Sequence, residues 1–239
     1  NDGGKEYIAT ASLQKAKPLK QLIYSNVKEI GEQQQYVFNT LWFTLVGTVG
    51  HVIIASMAAY VLSKYNFPGG NLFFRIAVVA LMFSGYVTGI PNFMIMSRLH
   101  IVDTYWAPIL PAIGASLGLF LMKQFMEGFP MSIIEAAKID GANEFLIFWK
   151  LVMPNVKPAW LTISIFTING LWNNPQTTVI YTESKKMMSY ALSQIQASGI
   201  ARTGQYQAVI VFTMAVPILF FVFSQSQILE TMATSGLKD

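Results

Sequence analysis

The sequence predicts an all-α membrane protein, a polytopic helical bundle, and three observations support this prediction. Of the 239 residues, 53% are hydrophobic and only 12% are charged, whereas soluble domains carry about 25% charged residues. Long uncharged stretches separate the segments that hold the charges. These stretches lack the alternation of polar and apolar residues that marks the strands of a membrane barrel, so helices are the expected spanning structures.

Five uncharged stretches mark the expected membrane crossings and predict five transmembrane helices. Each reaches or approaches the roughly 20 residues that a helix needs to cross the hydrocarbon core of a bilayer. We expect one membrane domain, residues 39–239, preceded by a polar segment, residues 1–38. The stretches are residues 39–63, 76–97, 104–122, 158–182 and 203–229.

Two of the stretches carry glycine pairs four residues apart, Gly85 with Gly89 and Gly114 with Gly118. In lipid, small residues at this spacing let helix backbones approach each other closely. Such pairs also arise by chance, because glycine is frequent in membrane helices. On either interpretation we expect both helices to pack inside the bundle.

The composition and the positions of the charges exclude several classes of protein. The chain has no cysteine, which excludes disulfides, thiol nucleophiles and cysteine metal ligands. No cluster of histidine and carboxylate residues indicates a metal site. The net charge of +4 is spread over the loops, so no nucleic-acid partner is expected. The spans hold no Asp, Glu, Lys or Arg, which argues against a carrier driven by protons or sodium ions through buried carboxylates.

Two residue patterns resemble enzyme sites but lack essential parts. Residues 199–204 have the glycine frame of a phosphate-binding loop, but Gln205 and Tyr206 replace the required Lys and Ser or Thr. Ser84 and His51 could form a protease pair only across two helices, and Ser84 lacks the usual sequence context. A lone histidine in a span is more often a hydrogen-bonded packing residue than a proton relay. We therefore expect no enzyme activity and no cofactor in this chain.

The connection between residues 123 and 157 is longer than most links between helices and carries its own helix signals. Ser132 and Glu135 have the spacing of a capping box, and Gly141 suits the left-handed position that ends a helix. Asn143 is placed to cap a second short helix. The pattern predicts a helical hairpin whose apolar side chains need a docking partner or the membrane interface. These side chains are Ile133, Ile134, Phe145, Phe148 and Trp149.

Basic residues favour one orientation of this hairpin without deciding it. Loops on the cytoplasmic side of a membrane protein carry an excess of Lys and Arg. Counting every loop gives nine basic residues on one side and seven on the other. Leaving out residues 1–38 gives four against seven, which favours a cytoplasmic position for residues 123–157.

The hairpin sequence resembles the EAA loop of ABC importer permeases. The matching residues are Glu135, Ala136, Ala137, Gly141, Leu151, Met153 and Pro154. Leu151 and Met153 replace the Ile and Leu that are usual in the family, which conserves apolar volume. The sequence around the loop, with Trp172 and Asn173 in the fourth span, is similar to sequences of the carbohydrate-uptake branch. This branch is typified by the second permease of the maltose importer. The resemblance covers roughly residues 36–239.

This resemblance implies a six-helix permease in a bacterial or archaeal plasma membrane, with a first helix that would lie before Asn1. Residues 1–38 would then form an extracytoplasmic segment. The implied partners are a second permease subunit, two cytoplasmic ATPase subunits that hold ATP and Mg²⁺, an extracytoplasmic sugar-binding protein and the lipid bilayer. The implied cargo is a carbohydrate, with an oligosaccharide as the first expectation. The alternative is a self-contained passive channel or facilitator for a small polar solute, whose hairpin lies in the membrane interface.

The resemblance also implies which residues couple the chain to the ATPase. Glu135 is a candidate partner for an ATPase arginine, although a capping role alone would explain this residue type. The residues expected to form the coupling site are Glu135, Ala136, Ala137, Asp140, Gly141, Phe145 and Pro154.

Two further sets of polar residues are candidate sites in a sugar importer. Asn169, Asn173 and Asn174 are expected in the substrate path, because amides are costly in lipid and should face the bundle or water. They could serve sugar hydroxyls or interhelical hydrogen bonds. In loop 183–202, the residues expected to contact the binding protein are Tyr190, Gln194 and Gln196, unless this is an ordinary solvated loop.

Overall fold

Helices build the part of the chain that the computed structural model describes, which is residues 34–83, 85–175, 178–197 and 213–222 with residues 207, 210, 211 and 225. No strand occurs among these residues, so the predicted all-α fold is confirmed for them. A short 3₁₀ turn, Glu183–Lys185, precedes α9. The helices are α1 (Gln34–Lys64), α2 (Gly70–Ala80), α3 (Gly85–Arg98), α4 (Trp106–Ile113), α5 (Ser116–Glu127), α6 (Met131–Ile139), α7 (Glu144–Asn155), α8 (Lys157–Asn173), α9 (Met188–Ala197) and α10 (Thr213–Val222).

The longest helix, α1, packs against α4, α5 and α8. Its 31 residues include apolar side chains around the whole circumference, which is typical of a helix that spans a membrane. One side buries Phe43 and Ala59 completely against these neighbours, whereas Phe38 and Leu45 on the other side are exposed. The exposed side therefore offers an apolar surface to lipid or to another subunit.

Two described helical segments are long and apolar enough to cross a membrane, Gln35–Lys64 and Trp106–Glu127. Helices α7 and α8 pass the same test only together, and they are bent by 79° at their junction. The stretch at 76–97, predicted as one span, is divided, because α2 ends at Ala80 and α3 begins at Gly85. The count of five spans therefore stays a prediction, and much of the last stretch, 203–229, lies outside the described residues.

The two predicted glycine pairs have different surroundings. A Cβ atom added to Gly118 would lie 2.2 Å from Nε2 of His51, so this close approach of α5 to α1 requires glycine. By contrast, no atom of a neighbouring element lies within 4 Å of the corresponding positions at Gly85 and Gly89. Helix α3 packs on one side only, because Met96 is buried with Ala107 and Val179 whereas Val87 and Ile90 are largely exposed. The expectation that this helix packs inside the bundle therefore stays a prediction.

The largest apolar core anchors the hairpin formed by α6 and α7. Ile134 of α6 and Ile147 of α7 are fully buried in one cluster with Met122 and Met126 of α5. Burying a side chain of this size contributes about 1.5–3 kcal/mol. The middle of α7, Ile147–Val152, is π-helical, a form that mostly occurs as single turns within α-helices and often at functional sites.

Candidate functional site

The first arm of the hairpin, α6, begins differently from the sequence prediction. Pro130 stands at the N-cap with extended backbone angles, and no side chain caps the helix. Helix α6 therefore starts at Met131, so Ser132 already lies inside the first turn and cannot occupy the cap position. The predicted capping box of Ser132 and Glu135 is wrong. The exposed Glu135 carboxylate makes no hydrogen bond or ion pair with any described residue, which leaves it available to a partner.

The turn between the two arms confirms the other helix signals. Gly141 has φ of 83°, a left-handed conformation that glycine adopts without strain. Its N–H donates to the Lys138 carbonyl and the Ala142 N–H donates to the Ala137 carbonyl, each at 3.0 Å. This pair of bonds is the Schellman motif. The Asn143 side chain then caps α7 by accepting from the Leu146 N–H at 2.8 Å. The hairpin tip is therefore a defined turn.

The hairpin tip exposes two large apolar side chains. Ile139 is 87% exposed and Phe145 is 70% exposed. Two of the side chains that were predicted to form this surface, Ile134 and Phe148, are instead buried in the core. They are buried because α6 and α7 lie against α1 and α5, which leaves only the outward face of each arm exposed.

The residues of the predicted coupling site lie along this outward face and at the base of α7. Glu135, Ala136, Asp140 and Gly141 are exposed, and Ala137 is half-buried. Pro154 is exposed close to the 79° bend that separates α7 from α8. The structure thus brings the tip residues together, whereas Pro154 belongs to the far end of α7.

A group of four polar side chains ties the tip to the end of α1. We call it the hairpin joint: Tyr60, Tyr65, Lys138 and Glu144. Lys138 Nζ lies 2.6 Å from Glu144 Oε1, and Tyr60 Oη donates to Glu144 Oε2 at 3.0 Å. Lys138 Nζ also donates to Tyr65 Oη at 3.2 Å. The hydrogen bond to Glu144 raises the pKa of Lys138 above its ordinary value.

The middle of α1 holds the buried His51, which contacts two other helices. Its Nε2 lies 3.0 Å from the Ala115 carbonyl at the break between α4 and α5, and its Nδ1 lies 2.7 Å from Thr167 Oγ1 of α8. A carbonyl can only accept, so Nε2 donates. His51 is therefore a hydrogen-bonded packing residue that joins three segments, as the sequence analysis expected of a lone histidine.

His51 also lines a cavity of about 430 Å³, which we call cavity A. Asn92 and Asn174 supply amides to its wall, and Phe93 and Phe166 supply aromatic rings. No charged side chain lines it among the described residues. Apolar and aromatic walls with a few polar groups are typical of small-molecule sites.

The three asparagines of the predicted substrate path do not share one site. Asn174 lines cavity A, whereas Asn169 and Asn173 line a second cavity of about 360 Å³ between α8 and α10, cavity B. Asn173 Nδ2 donates to the Asn169 carbonyl at 3.0 Å and lies 3.2 Å from its side-chain Oδ1. Part of their hydrogen-bonding capacity is therefore used within α8.

The opposite end of α1 is closed by a polar cluster centred on Asp103. This carboxylate accepts from the backbone N–H groups of Tyr181 and Thr182, both at 2.9 Å, and from the Thr182 hydroxyl. Lys185 Nζ lies 3.5 Å from its Oδ2 atom. These bonds, the Thr182 hydroxyl first among them, hold the pKa of Asp103 well below its usual range. We call residues 36–40, 103 and 178–190 the clasp end, and the opposite end of α1 the hairpin end.

The clasp end also contains a second tyrosine, glutamate and lysine. Tyr36 of α1 donates to Glu183, and Lys186 Nζ lies 2.7 Å from Glu183 Oε2. The hydrogen bond with Lys186 lowers the pKa of Glu183 and raises that of Lys186. Asn39 Nδ2 donates to the carbonyls of Ser184 and Lys186 at 2.8 and 3.0 Å. Loop residues 182–186 are therefore fixed against the start of α1.

The residues predicted to contact a binding protein lie on α9 but not on one face. Lys186 Nζ sits 3.8 Å from the centre of the Tyr190 ring, so part of Tyr190 is covered. Gln194 and Gln196 are exposed. Tyr190 and Gln194 are four residues apart and share a face, whereas Gln196 points about 160° away from Gln194.

Sequence reasoning missed the hairpin joint, the Asp103 cluster and Asn92. A charged pair six residues apart across a glycine turn, Lys138 and Glu144, was visible in the sequence. Its partner Tyr60 was hidden inside an apolar stretch, and Asp103 is 79 residues from Thr182. Among the described residues, no three His, Asp or Glu side chains come together as a metal site.

The chain matches the family of binding-protein-dependent transport system inner membrane components over residues 51–232. It is 29% identical to the arabinooligosaccharides transport system permease protein AraQ of Halalkalibacterium halodurans, over 88% of this chain and 76% of that protein. It is 28% identical to the sn-glycerol-3-phosphate transport system permease protein UgpE of Yersinia enterocolitica, over 79% of this chain and 69% of that protein.

A solved structure shows the same architecture. The chain superposes with a TM-score of 0.72 on a chain of a bacterial ABC transporter involved in the import of the acidic polysaccharide alginate, at 25% identity over 81% of this chain and 74% of that chain. These relatives are permease subunits rather than enzymes. The predicted resemblance to ABC importer permeases of the carbohydrate-uptake branch is thereby confirmed, and the chain belongs to the family of binding-protein-dependent transport system inner membrane components.

Proposed function

We propose that this chain is the permease subunit through which an ABC importer moves a carbohydrate, with an oligosaccharide as the first candidate, into a bacterial or archaeal cell. The observation that carries the proposal is the hairpin tip, where Ile139 and Phe145 are exposed on a turn fixed by Gly141 and Asn143. A partner that buries such a side chain gains about 1.5–3 kcal/mol from each. In this proposal the partner is an ATPase subunit, which binds ATP and Mg²⁺.

The exposed Glu135 carboxylate adds a polar contact to this apolar tip. Because it does not cap α6, its position on the outward face serves an intermolecular ion pair, for which an arginine of the ATPase is the expected partner. Charge-assisted hydrogen bonds of this type are stronger than neutral ones. The coupling site is thus an apolar contact at Phe145 and Ile139 with Glu135, Ala136, Ala137 and Asp140 beside it, and with Pro154 at its base.

The proposed orientation puts the hairpin end in the cytoplasm and the clasp end outside. The basic residues of the loops favour it once residues 1–38 are treated as an extracytoplasmic segment. The membrane domain, residues 39–239, then lies in the plasma membrane, and the exposed apolar side of α1 is available to lipid and to a second permease subunit. Tyr190, Gln194 and Gln196 lie on the outer side, where an extracytoplasmic sugar-binding protein would dock.

Cavity A supports a neutral, hydroxylated cargo. The amides of Asn92 and Asn174 can both donate to and accept from hydroxyl groups, and the rings of Phe93 and Phe166 can face the apolar side of a sugar ring. A phosphate or carboxylate would need a cationic partner, and none lines the described part of cavity A. We propose that Asn174 contacts the sugar there, and that Asn169 and Asn173 line a separate part of the path at cavity B.

The test of this function is co-purification and uptake with Phe145→Ala. We expect the variant to lose at least about tenfold in affinity for the ATPase subunit, the scale of burying one phenylalanine, and to lose ATP-dependent sugar uptake. Phe73→Ala is the matched control, because Phe73 is also exposed but lies on α2. Retained ATPase binding in Phe145→Ala, or uptake by this chain without any ATPase subunit, would favour the passive facilitator instead.

A further inference from the structure

The hairpin joint connects three segments of the chain at one point. Lys138 comes from the last turn of α6, Glu144 is the first residue of α7, Tyr60 lies near the end of α1, and Tyr65 directly follows α1. The Glu144 carboxylate uses one oxygen for Lys138 and the other for Tyr60, at 2.6 and 3.0 Å. The Lys138 ammonium also lies 5.2 Å from the centre of the Tyr65 ring.

The hairpin does not need this joint to form its turn. The Schellman bonds at Gly141 and the Asn143 cap already fix the connection between α6 and α7. Ile134 and Ile147 already hold the two arms in the apolar core. The same core also contains Ala59 and Tyr60 of α1, so the joint adds a second, polar contact between the tip and α1. It is formed by side chains that are partly open to solvent, at 36% for Lys138 and 52% for Glu144.

Helix α1 leads from the joint to cavity A without a break. It is helical from Gln34 to Lys64, and His51 lies about 13 Å along the axis from Tyr60 at 1.5 Å per residue. His51 lines cavity A and contacts the α4–α5 break and α8 through its two ring nitrogens. A displacement of the end of α1 would therefore move His51 and change its contacts at the wall of cavity A.

We propose that the hairpin joint transmits movement of the hairpin tip to α1 and so to cavity A, with Tyr60, Lys138 and Glu144 as positioning residues. This inference rests on the proposed function, since the ATPase supplies the movement. The joint holds the tip to α1 through two bonds to one carboxylate. Without it, only the apolar core connects the hairpin to α1, so the tip can shift relative to α1 when the ATPase moves, and less sugar is transported per ATP.

The test compares transport with ATP hydrolysis in the complete importer, reconstituted in vesicles with its substrate-loaded binding protein. Tyr60→Phe and Glu144→Gln should keep the ATPase subunit bound and hydrolysing ATP, but should lower the sugar transported per ATP by about fivefold, the scale of one net hydrogen bond. Exchange of the charges in Lys138→Glu with Glu144→Lys should restore much of this ratio. The matched control is Glu127→Gln, which removes an ion pair to Lys123 within α5 alone.

A distance measurement provides a readout that a merely structural role would not change. The chain has no cysteine, so spin labels can be placed at Ala136→Cys on the tip and Val61→Cys on α1. With the joint intact we expect the distance between the labels to stay constant between nucleotide states, and with Glu144→Gln we expect it to change. The same behaviour in both proteins, or an unchanged transport ratio, would overturn the inference. Lack of ATP-driven uptake by the unmodified importer would instead overturn the proposed function, and the inference with it.

Discussion

The two ends of α1 each use a tyrosine, a glutamate and a lysine, in different arrangements. At the hairpin end, Tyr60 contacts a Glu144–Lys138 pair, and at the clasp end Tyr36 contacts a Glu183–Lys186 pair. The first pair spans the turn between two helices. The second pair is three residues apart within one short turn. The same chemistry thus joins α1 to a pair that bridges two helices at one end, and to a pair within a single short turn at the other.

The surfaces that the two ends expose also differ. The hairpin end exposes the large apolar side chains Ile139 and Phe145, whereas the clasp end exposes Phe38 and Tyr181 together with the amides of Gln194 and Gln196 on the adjacent α9. An apolar tip gains free energy only in a dry pocket, which suits a permanent subunit contact. Amides lose little when they stay hydrated, which suits a partner that binds and leaves. We expect the partners of the two ends to differ in the same way.

Removing Asp103 should have the largest effect, and only at the clasp end. Asp103→Ala deletes an acceptor of three hydrogen bonds and a partner of Lys185, which should cost about 3 kcal/mol locally. Hydrogen exchange of residues 178–190 should accelerate, while residues 131–155 keep their protection. Equal acceleration at both ends would contradict the independence of the two regions.

The same carboxylate gives the clasp end a defined pH response. The folded pKa of Asp103 is lower than its ordinary value. Its contribution to the stability of the clasp end is therefore complete above the unfolded pKa of about 3.9. It is lost as the pH falls below that value towards the folded pKa. The hydrogen-exchange protection of residues 178–190 should therefore decrease in acid in the unmodified protein, and this part of the decrease should be absent in Asp103→Ala.

Gly141→Val should have the next largest effect, at the hairpin end. A β-branched residue at φ of 83° costs about 1–3 kcal/mol, and relief of this strain would open the Schellman turn. We expect the protein to remain folded in detergent but to lose the ATPase subunit. Ala142→Val is the control, since Ala142 does not need a left-handed backbone. Full ATPase binding by Gly141→Val would show that the turn does not present the tip.

The smallest effect should come from Tyr36→Phe. It removes one hydrogen bond to Glu183, while Asn39 and Lys186 still hold the loop. The free energy of unfolding should therefore change by no more than about 1 kcal/mol. Sugar transported per ATP should remain normal, in contrast to Tyr60→Phe. A similar loss of this ratio in both variants would mean that the two tyrosines have equivalent roles.

Local signals in the sequence predicted the parts of the hairpin that depend on neighbouring residues. Gly141 and Asn143 act within a few residues of their own position, and both are confirmed. Ser132 failed as a cap because Pro130 ended the extended segment two residues earlier, and the spacing of Ser132 and Glu135 is compatible with either start. The burial of Ile134 and Phe148 depended on α1 and α5, which no local pattern in residues 123–157 contains.

Long-range polar contacts were beyond local reasoning for a different reason. Asp103 and Tyr60 bond to residues 79 and 84 positions away, and each was a single polar residue at the edge of, or inside, an apolar stretch. The placement of Asn169, Asn173 and Asn174 in the substrate path stays a prediction, although each of them lines a cavity. Asn173 and Asn174 reach different cavities because α8 ends at Asn173 and Asn174 has an extended backbone.

Because of the bend between α7 and α8, a small rotation at the bend would displace the hairpin tip by several ångströms. Between Glu144 and Asn155 lies roughly 18 Å of helix, hinged at an angle of 79° to the segment that continues into α8. A rotation of only about 10° at this hinge would carry the tip by roughly 3 Å over such an arm. The bond of 3.0 Å between Tyr60 and Glu144 cannot stretch by that amount and remain a hydrogen bond. Any such movement of α7 must therefore either displace the end of α1 or break the hydrogen bond between Tyr60 and Glu144.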